Sequence, residues 1–282
     1  MTQVSIVYDL VRWEEKALMK AAQDRGLTVR MIDSSDIVMD LNGKVPEEFG
    51  DVTLQRSVSY YRGLHITAYL EYLGHPVVND LNSTLISGNK MLSSLAFVKN
   101  RVPTPHTVVA LSTEKAMEAF SGILGGRAVI KPVTGSWGRM VALLRDRDAA
   151  EAVLEDREHM YPLYSVSYLQ EFVEKPGRDI RVFVAGDRAL AAIYRYGGDQ
   201  WRTNTARGGR AEKCPIDSEL EDVAVRAARA VGPGVYGVDV MESKDGYLVH
   251  EINGTTEFKN TVAQTGVDIP GAIVDYALSV IK

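Results

Sequence analysis

One cysteine in 282 residues excludes an intrachain disulfide and any thiolate metal cage. That residue, Cys214, precedes Pro215 in a polar stretch without a histidine partner, so it reads as a surface or half-buried thiol rather than a nucleophile. No apolar run approaches the ~20 residues of a membrane-spanning helix, and no basic leader with an apolar core opens the chain. The expectation is no membrane partner and a cytoplasmic location. Positive charge is in deficit: 32 Lys and Arg against 37 Asp and Glu give a net charge of −5, which argues against nucleic acid as the main partner. Any anion site must therefore be a local cluster. No G-x-x-x-x-G-K-[ST] loop occurs, and the five histidines lack metal-ligand spacing. Residues 232–237 do match G-x-G-x-x-G, but there a helix precedes and a strand follows, the reverse of the dinucleotide fingerprint. An NAD-dependent dehydrogenase is rejected on that ground.

What is present is an ordinary globular chain, long enough for two or three linked domains. Residues 4–8 read as a buried strand, followed by a helix over 14–25 stopped by Gly26. Strands at 28–32 and 52–54, a helix over 61–73 ended by Gly74 and a strand from 76 to 78 complete a first unit. Strands alternating with helices imply a small parallel sheet covered on both faces. A helix over 88–99 leads to strands at 107–110, 128–131 and 140–144, with helices near 114–121 and 148–159. From 168 onward the strands are longer and paired by turns, at 168–173, 180–184 and 190–196. A helix over 218–231 packs on them, and a last helix runs from 270 to 281. The fold class is α/β, becoming α+β after the first unit.

The most informative segment is Gly237-Val238-Asp239-Val240-Met241, a polar turn, then Val249-His250-Glu251-Ile252-Asn253-Gly254-Thr255-Thr256-Glu257-Phe258-Lys259-Asn260-Thr261. Asp-Gly between two apolar runs signals a hairpin. A turn centred on Asp245 sets Asp239 opposite Glu251, with Asn253 on the same face as Glu251. Opposed like charges destabilise a ladder unless a cation offsets them, and Mg²⁺ takes such carboxylates together with substrate phosphates. Neutralising Asp239 is therefore expected to leave the metal-free protein level or more stable.

Three further clusters carry chemistry. Gly135-Ser136-Trp137-Gly138-Arg139 lies between two strands, after Ile130-Lys131-Pro132; two glycines let backbone N–H groups approach phosphate oxygens. Lys131 interrupts an apolar strand, and a buried lysine calls for an anionic partner. Gln170-Glu171-Phe172-Val173 ends a strand that could read an adenine edge. Arg195, Arg202, Asn204, Arg207 and Arg210 crowd a segment with Gly208-Gly209, and clustered arginines suit a phosphoryl group in transfer.

Taken in order, Lys90, Lys131, the glycine loop, the Gln-Glu hinge and the Asp…Glu-x-Asn set resemble an ATP-grasp ligase over essentially the whole chain. The finer resemblance is to the RimK-like branch, specifically the LysX-type ligases, through residues 135–139, 174–181, 203–209 and 257–260. The resemblance implies an ATP-grasp fold, with an N-terminal parallel-sheet domain at 1–86, a central subdomain at 87–165 and a C-terminal subdomain at 166–282. It implies ATP and two Mg²⁺ ions as cofactors. Lys90 and Lys131 would hold the α- and β-phosphates under the loop of Gly135, Ser136, Trp137, Gly138 and Arg139. Gln170, Glu171, Phe172, Val173, Glu174, Arg178, Asp179 and Arg181 would form the nucleotide strip, and Asn204 would touch the phosphates. Asp239, Glu251 and Asn253 would bind the metal. Arg195, Arg207 and Asn204 would be catalytic. Arg195, Arg56, Ser59, Thr255, Thr256, Asn260 and Thr261 would face the amino-acid substrate. The family joins α-aminoadipate, through its amino group, to the C-terminal glutamate side chain of a small acidic carrier protein, LysW, through an acyl-phosphate; for this chain α-aminoadipate, with glutamate as a second amino acid, and a homo-oligomer (dimer or tetramer) are expected. Alternatives left open are a dual or glutamate-specific carrier ligase, another RimK-like glutamate ligase, and a nucleotide-binding module without turnover.

Overall fold

In the computed structural model the described residues are 2–135, 138–160, 164–197, 201 and 210–281. The first unit runs β1 (Gln3–Tyr8), α1 (Trp13–Asp24), β2 (Thr28–Asp33), β3 (Val52–Gln55), α2 (Tyr60–Tyr72) and β4 (Val77–Val78). Its sheet is parallel throughout, in the order β2-β1-β3-β4, as the alternation of elements required. Side chains two apart share a face. Val4 and Ile6 therefore pack toward α1, while Val7 packs toward α2 with Ile66 and Leu70.

A short helix, α3 (Leu81–Ser87), was not anticipated, because Asn, Ser and Thr are weak helix formers. Asp80 starts it by accepting from the Ser83 N–H at 2.7 Å. Then follow α4 (Lys90–Lys99), β5 (Thr107–Ala110), α5 (Thr113–Gly122), β6 (Ala128–Lys131), β7 (Ala142–Leu144), α6 (Arg147–Glu158) and β8 (Ser167–Glu171). Their strands form an antiparallel sheet, β5-β8-β6-β7.

The third sheet is built from β9 (Arg178–Ala185), β10 (Arg188–Tyr196), β11 (Arg210–Cys214), β12 (Val235–Ser243) and β13 (Gly246–Asn253), in the order β11-β10-β9-β12-β13. α7 (Ser218–Val231) covers one face with Leu220, Val223, Ala224, Ala227, Ala228 and Val231, a stripe at helical spacing. α8 (Lys259–Thr265) and α9 (Ile269–Ser279) return to the first unit. The Gly232–Gly237 stretch runs from the end of α7 into the start of β12, so helix does precede strand. β11 was unanticipated, and it buries Cys214, which is 3% exposed rather than at the surface.

Strand period now sorts the chemistry. Ile180, Val182 and Val184 of β9 and Tyr236, Val238 and Val240 of β12 point into the α7 core. Asp179 and Arg181 of β9 and Asp239 and Met241 of β12 point the other way, into a cavity between the second and third sheets.

Candidate active site

Each strand around the cavity delivers side chains to it. β6 contributes Val129 and Lys131, and β8 contributes Gln170 and Glu171, followed by Phe172 and Val173. From the facing sheet come Asp179, Arg181, Arg195, Asp239, Met241, His250, Glu251 and Asn253. Lys90, at the start of α4, enters from the side. The apolar end, with Val129, Phe172, Val173 and Met241, suits a flat heterocycle; the cationic end suits phosphates.

Lys131 is buried, and its Nζ donates to Gln170 Oε1 at 2.7 Å. Gln170 Nε2 donates to Thr107 Oγ1 (3.0 Å) and to the Tyr168 hydroxyl (3.2 Å), which also bonds Ser94 Oγ at 2.8 Å. The glutamine is thus oriented oxygen-first toward the lysine. Burial, and then Lys90 and Lys175, push the Lys131 pKa down to about 8 against the pull of Glu251 and Asp239. Lys90 Nζ donates to Gly135 O (2.8 Å) and lies 3.4 Å from Glu251 Oε1.

The acids face each other as the sequence implied, Asp239 opposite Glu251, but by another route. The turn is only two residues long, with Ser243 paired to Gly246, and a β-bulge at His250 shifts the register by one. Without that bulge Asp239 would meet His250; with it, both His250 and Glu251 reach the cavity. The expected bare repulsion is absent. On its other side Asp239 is paired in register with Arg181, which grips both its oxygens at 2.5 and 2.7 Å. Arg195 adds a contact at 3.1 Å and binds Asp179 at 2.7 Å. Burial pushes the Asp239 carboxyl up, but Arg181 and Arg195 outweigh it and hold it well below the usual carboxylate range.

Among the candidates, Lys90, Lys131, Gly135, Gly138, Arg139, Gln170, Glu171, Phe172, Val173, Asp179, Arg181, Arg195, Asp239, Glu251, Asn253, Thr255 and Thr256 meet in this one cavity. Glu174 is exposed and paired to Arg127 at 2.6 Å, and Arg178 is spent on Glu242 at 2.7 and 2.8 Å; neither lines it. Ser59 lines an adjoining depression. Arg56 is buried behind the wall, donating to Glu15 and to Thr256 O. Asn260 is exposed and Thr261 buried, both on α8 and outside the cavity lining. Ser136, Trp137, Asn204 and Arg207, as well as Arg202, fall outside the described residues. Lys175, His250, Met241 and Arg12 line the cavity without having been singled out. Only the bulge, invisible to strict alternation, would have exposed His250.

Asp239, Glu251 and Asn253 offer two carboxylates and an amide oxygen from adjacent strands, the hard donors Mg²⁺ takes. Asn253 Nδ2 is buried without a hydrogen-bond partner among the described residues, a donor that an anionic ligand oxygen would satisfy while the amide oxygen is left to the cation. The residues fit the ion.

Two sheets closing on a cavity with two buried lysines, an apolar slot and oxygen ligands suit an enzyme that binds a nucleotide with a divalent cation. A family model described as a RimK-like ATP-grasp domain matches residues 87–277, and one described as a LysX preATP-grasp domain matches 4–86. The chain belongs to the RimK-like ATP-grasp family, and is an ATP-dependent carboxylate–amine ligase; membership implies ATP and Mg²⁺ as cofactors. An "Alpha-aminoadipate--LysW ligase LysX" from Saccharolobus solfataricus is 39% identical over 273 residues, 96% of this chain and 99% of that protein. A "Glutamate--LysW ligase ArgX" from Sulfolobus acidocaldarius is 31% identical over 277 residues, 97% of each. The crystal structure of a RimK domain ATP-grasp protein from Sphaerobacter thermophilus superposes with a TM-score of 0.82 at 25% identity, covering 98% of this chain and 99% of that one.

Proposed function

We propose that the enzyme joins the amino group of α-aminoadipate to the C-terminal glutamate side-chain carboxylate of a LysW-type carrier, using ATP and an acyl-phosphate. The observation that carries the reading is the single cavity holding Lys90, Lys131, Asp239 and Glu251 beside Arg181 and Arg195. The greater likeness to the α-aminoadipate ligase than to the glutamate ligase supports the choice of amino acid.

Lys90 and Lys131 bind the phosphates, and Phe172, Val173 and Met241 receive the base. Asp239, Glu251 and Asn253 would hold two Mg²⁺ ions, which would supply positive charge beside the phosphates. Arg195 faces the amino acid's carboxylate. The cavity walls exclude water from the activated carboxylate until the amine attacks, so rate comes from positioning and fixed charge without a covalent enzyme intermediate. In the test, purified carrier is incubated with ATP, Mg²⁺ and each amino acid, then analysed by mass spectrometry. The carrier is expected to gain one α-aminoadipate residue, with ADP and phosphate released. Appearance of AMP and pyrophosphate would point instead to adenylation.

Selectivity for α-aminoadipate over glutamate rests on one methylene, about 1–3 kcal/mol, so roughly 10- to 200-fold is the ceiling from fit alone. The family resemblance implies that Asn followed by Ser or Thr at the 260–261 position goes with α-aminoadipate, and Gly-Phe with glutamate. Exchanging Asn260-Thr261 for Gly-Phe is expected to shift the kcat/KM ratio toward glutamate. Because both residues lie outside the cavity lining, the shift must travel through the placement of α8. An unmoved ratio would remove these residues from the specificity set.

A further inference from the structure

One wall of the cavity is made by Gly254, Thr255, Thr256 and Glu257, a segment joining β13 to α8 with no ladder of its own. Its backbone is held from the first unit. Glu14 Oε1 accepts from both the Phe258 N–H (3.1 Å) and the Lys259 N–H (3.0 Å), while Arg56 donates to Thr256 O at 3.0 Å. Phe258 is the N-cap of α8 and carries no side-chain acceptor. Glu14, 244 positions away in sequence, instead satisfies the N–H groups of Phe258 and of Lys259, the first residue of α8, where the helix itself offers no acceptor. The Phe258 ring is fully buried against Trp13 and Phe183, at centroid distances of 5.9 and 6.0 Å. From the held segment, Thr256 Oγ1 accepts from Arg181, the residue that grips Asp239. Gly237 leaves room for this contact, since a Cβ there would collide with Thr256 Oγ1.

Glu14 is only 4% exposed, and beside it Glu15 is buried with Arg12 and Arg56 around it. A carboxylate this deep is retained at a desolvation cost, and the work it does here is to fix two amides at the mouth of the wall.

We propose that Glu14 is a positioning residue for the amino-acid half of the reaction: by anchoring Phe258 and Lys259 it sets Thr255 and Thr256 against the substrate. This rests on the function proposed above. It also gives Asn260 and Thr261 a route to the substrate, because α8 hangs from the same anchor.

Both hydrogen bonds fall on one oxygen, which separates geometry from charge. Glu14→Gln keeps that acceptor and loses the charge; Glu14→Asp keeps the charge and withdraws the oxygen by one methylene. Steady-state kinetics should show kcat/KM for α-aminoadipate falling about 10- to 100-fold in Glu14→Asp through KM, since an ångström of misplacement is worth that much. KM for ATP should stay level, the α-aminoadipate to glutamate ratio should shift, and Glu14→Gln should stay within about twofold of wild type. The proposal is overturned if Glu14→Asp matches wild type, if Glu14→Gln is as impaired as Glu14→Asp, or if KM for ATP rises in step. Should Glu14→Asp not fold, Glu14→Met, which keeps the length of the side chain and removes the acceptor, takes its place under the same criteria. A wild-type enzyme that forms no ADP with any amino acid overturns the functional reading and this proposal together. An active wild type with an unmoved Glu14→Asp overturns only the proposal.

Discussion

Asp239→Asn is expected to lose turnover by at least about 100- to 1,000-fold, the scale for removing one preorganised electrostatic group, and to lower the melting temperature as well. The first effect follows from its place among the oxygen donors facing the cavity. The second reverses the sign that opposed carboxylates alone would give. Asp239 lies between Glu251 and Arg181 in the ladder, with Arg195 also in contact, so it is the counter-ion of two guanidinium groups. Neutralising it leaves Arg195, 6% exposed, with Asp179 as its remaining acid, and breaks the two-oxygen grip of Arg181. Removing one partner of a buried pair costs about 3–5 kcal/mol, far more than the relief from Glu251. The pH signature is specific. Because the folded carboxyl lies well below its ordinary value, its stabilisation is present above the unfolded pKa of about 4 and is lost as pH falls toward the folded one. Thermal unfolding followed from neutral into acid should show a steeper loss in wild type than in Asp239→Asn. A variant that melts at or above wild type in the absence of metal would mean that Arg181 and Arg195 do not compensate this site.

That reversal marks where the sequence stopped being legible. The Asp239–Glu251 pairing belongs to a hairpin with a two-residue turn, and local patterning finds such neighbours. The Asp239–Arg181 pairing joins β12 to β9 across 58 positions, with β10, β11 and α7 among the elements between, and no periodicity announces it. The same divide runs through the rest of the fold. The parallel first sheet and the stripe of α7 were readable because each burial pattern has its own period. α3 and β11 were not: one is short and rich in Asn, Ser and Thr, the other polar on a sheet edge. Of the nucleotide strip, Gln170 to Val173 and Asp179 with Arg181 reach the cavity. Glu174 and Arg178 do not, because a run of polar residues does not reveal which of them find partners elsewhere. Nothing in the helix pattern over 14–25 marks Glu14 or its neighbour Arg12; only tertiary packing sets Arg12 in the cavity wall and Glu14 behind it.

Lys131 gives the other large effect. Lys131→Ala is expected to weaken ADP, or a non-hydrolysable ATP analogue, by about 2–5 kcal/mol, the cost of deleting one partner of a buried charge pair, which is roughly 30-fold to several thousand-fold in Kd. Lys131→Arg should lose less, since it keeps the charge but cannot place a planar fork where Gln170 Oε1 and a phosphate converge on a compact ammonium. Titration calorimetry with the three proteins orders them; equal affinities for wild type and Lys131→Ala would remove Lys131 from the phosphate site. The lysine also predicts a pH profile. With its pKa pushed down to about 8 in the free protein, the ammonium is present at neutral pH and lost above that value. A bound phosphate favours the charged form, so ADP affinity should fall as pH rises past about 8, with proton uptake on binding, visible as a heat that depends on the buffer's ionisation enthalpy. Stability runs the opposite way. The folded pKa lies below the ordinary 10.5, so the unfolded chain binds more protons between about 8 and 10.5, and the free protein gains stability as pH rises through that window. At neutral pH the buried ammonium is therefore a liability in the empty protein, and Lys131→Met should melt higher than wild type while binding nucleotide worse. A variant that lost both stability and affinity would show that Lys131 supports the fold through Gln170 rather than waiting for a phosphate.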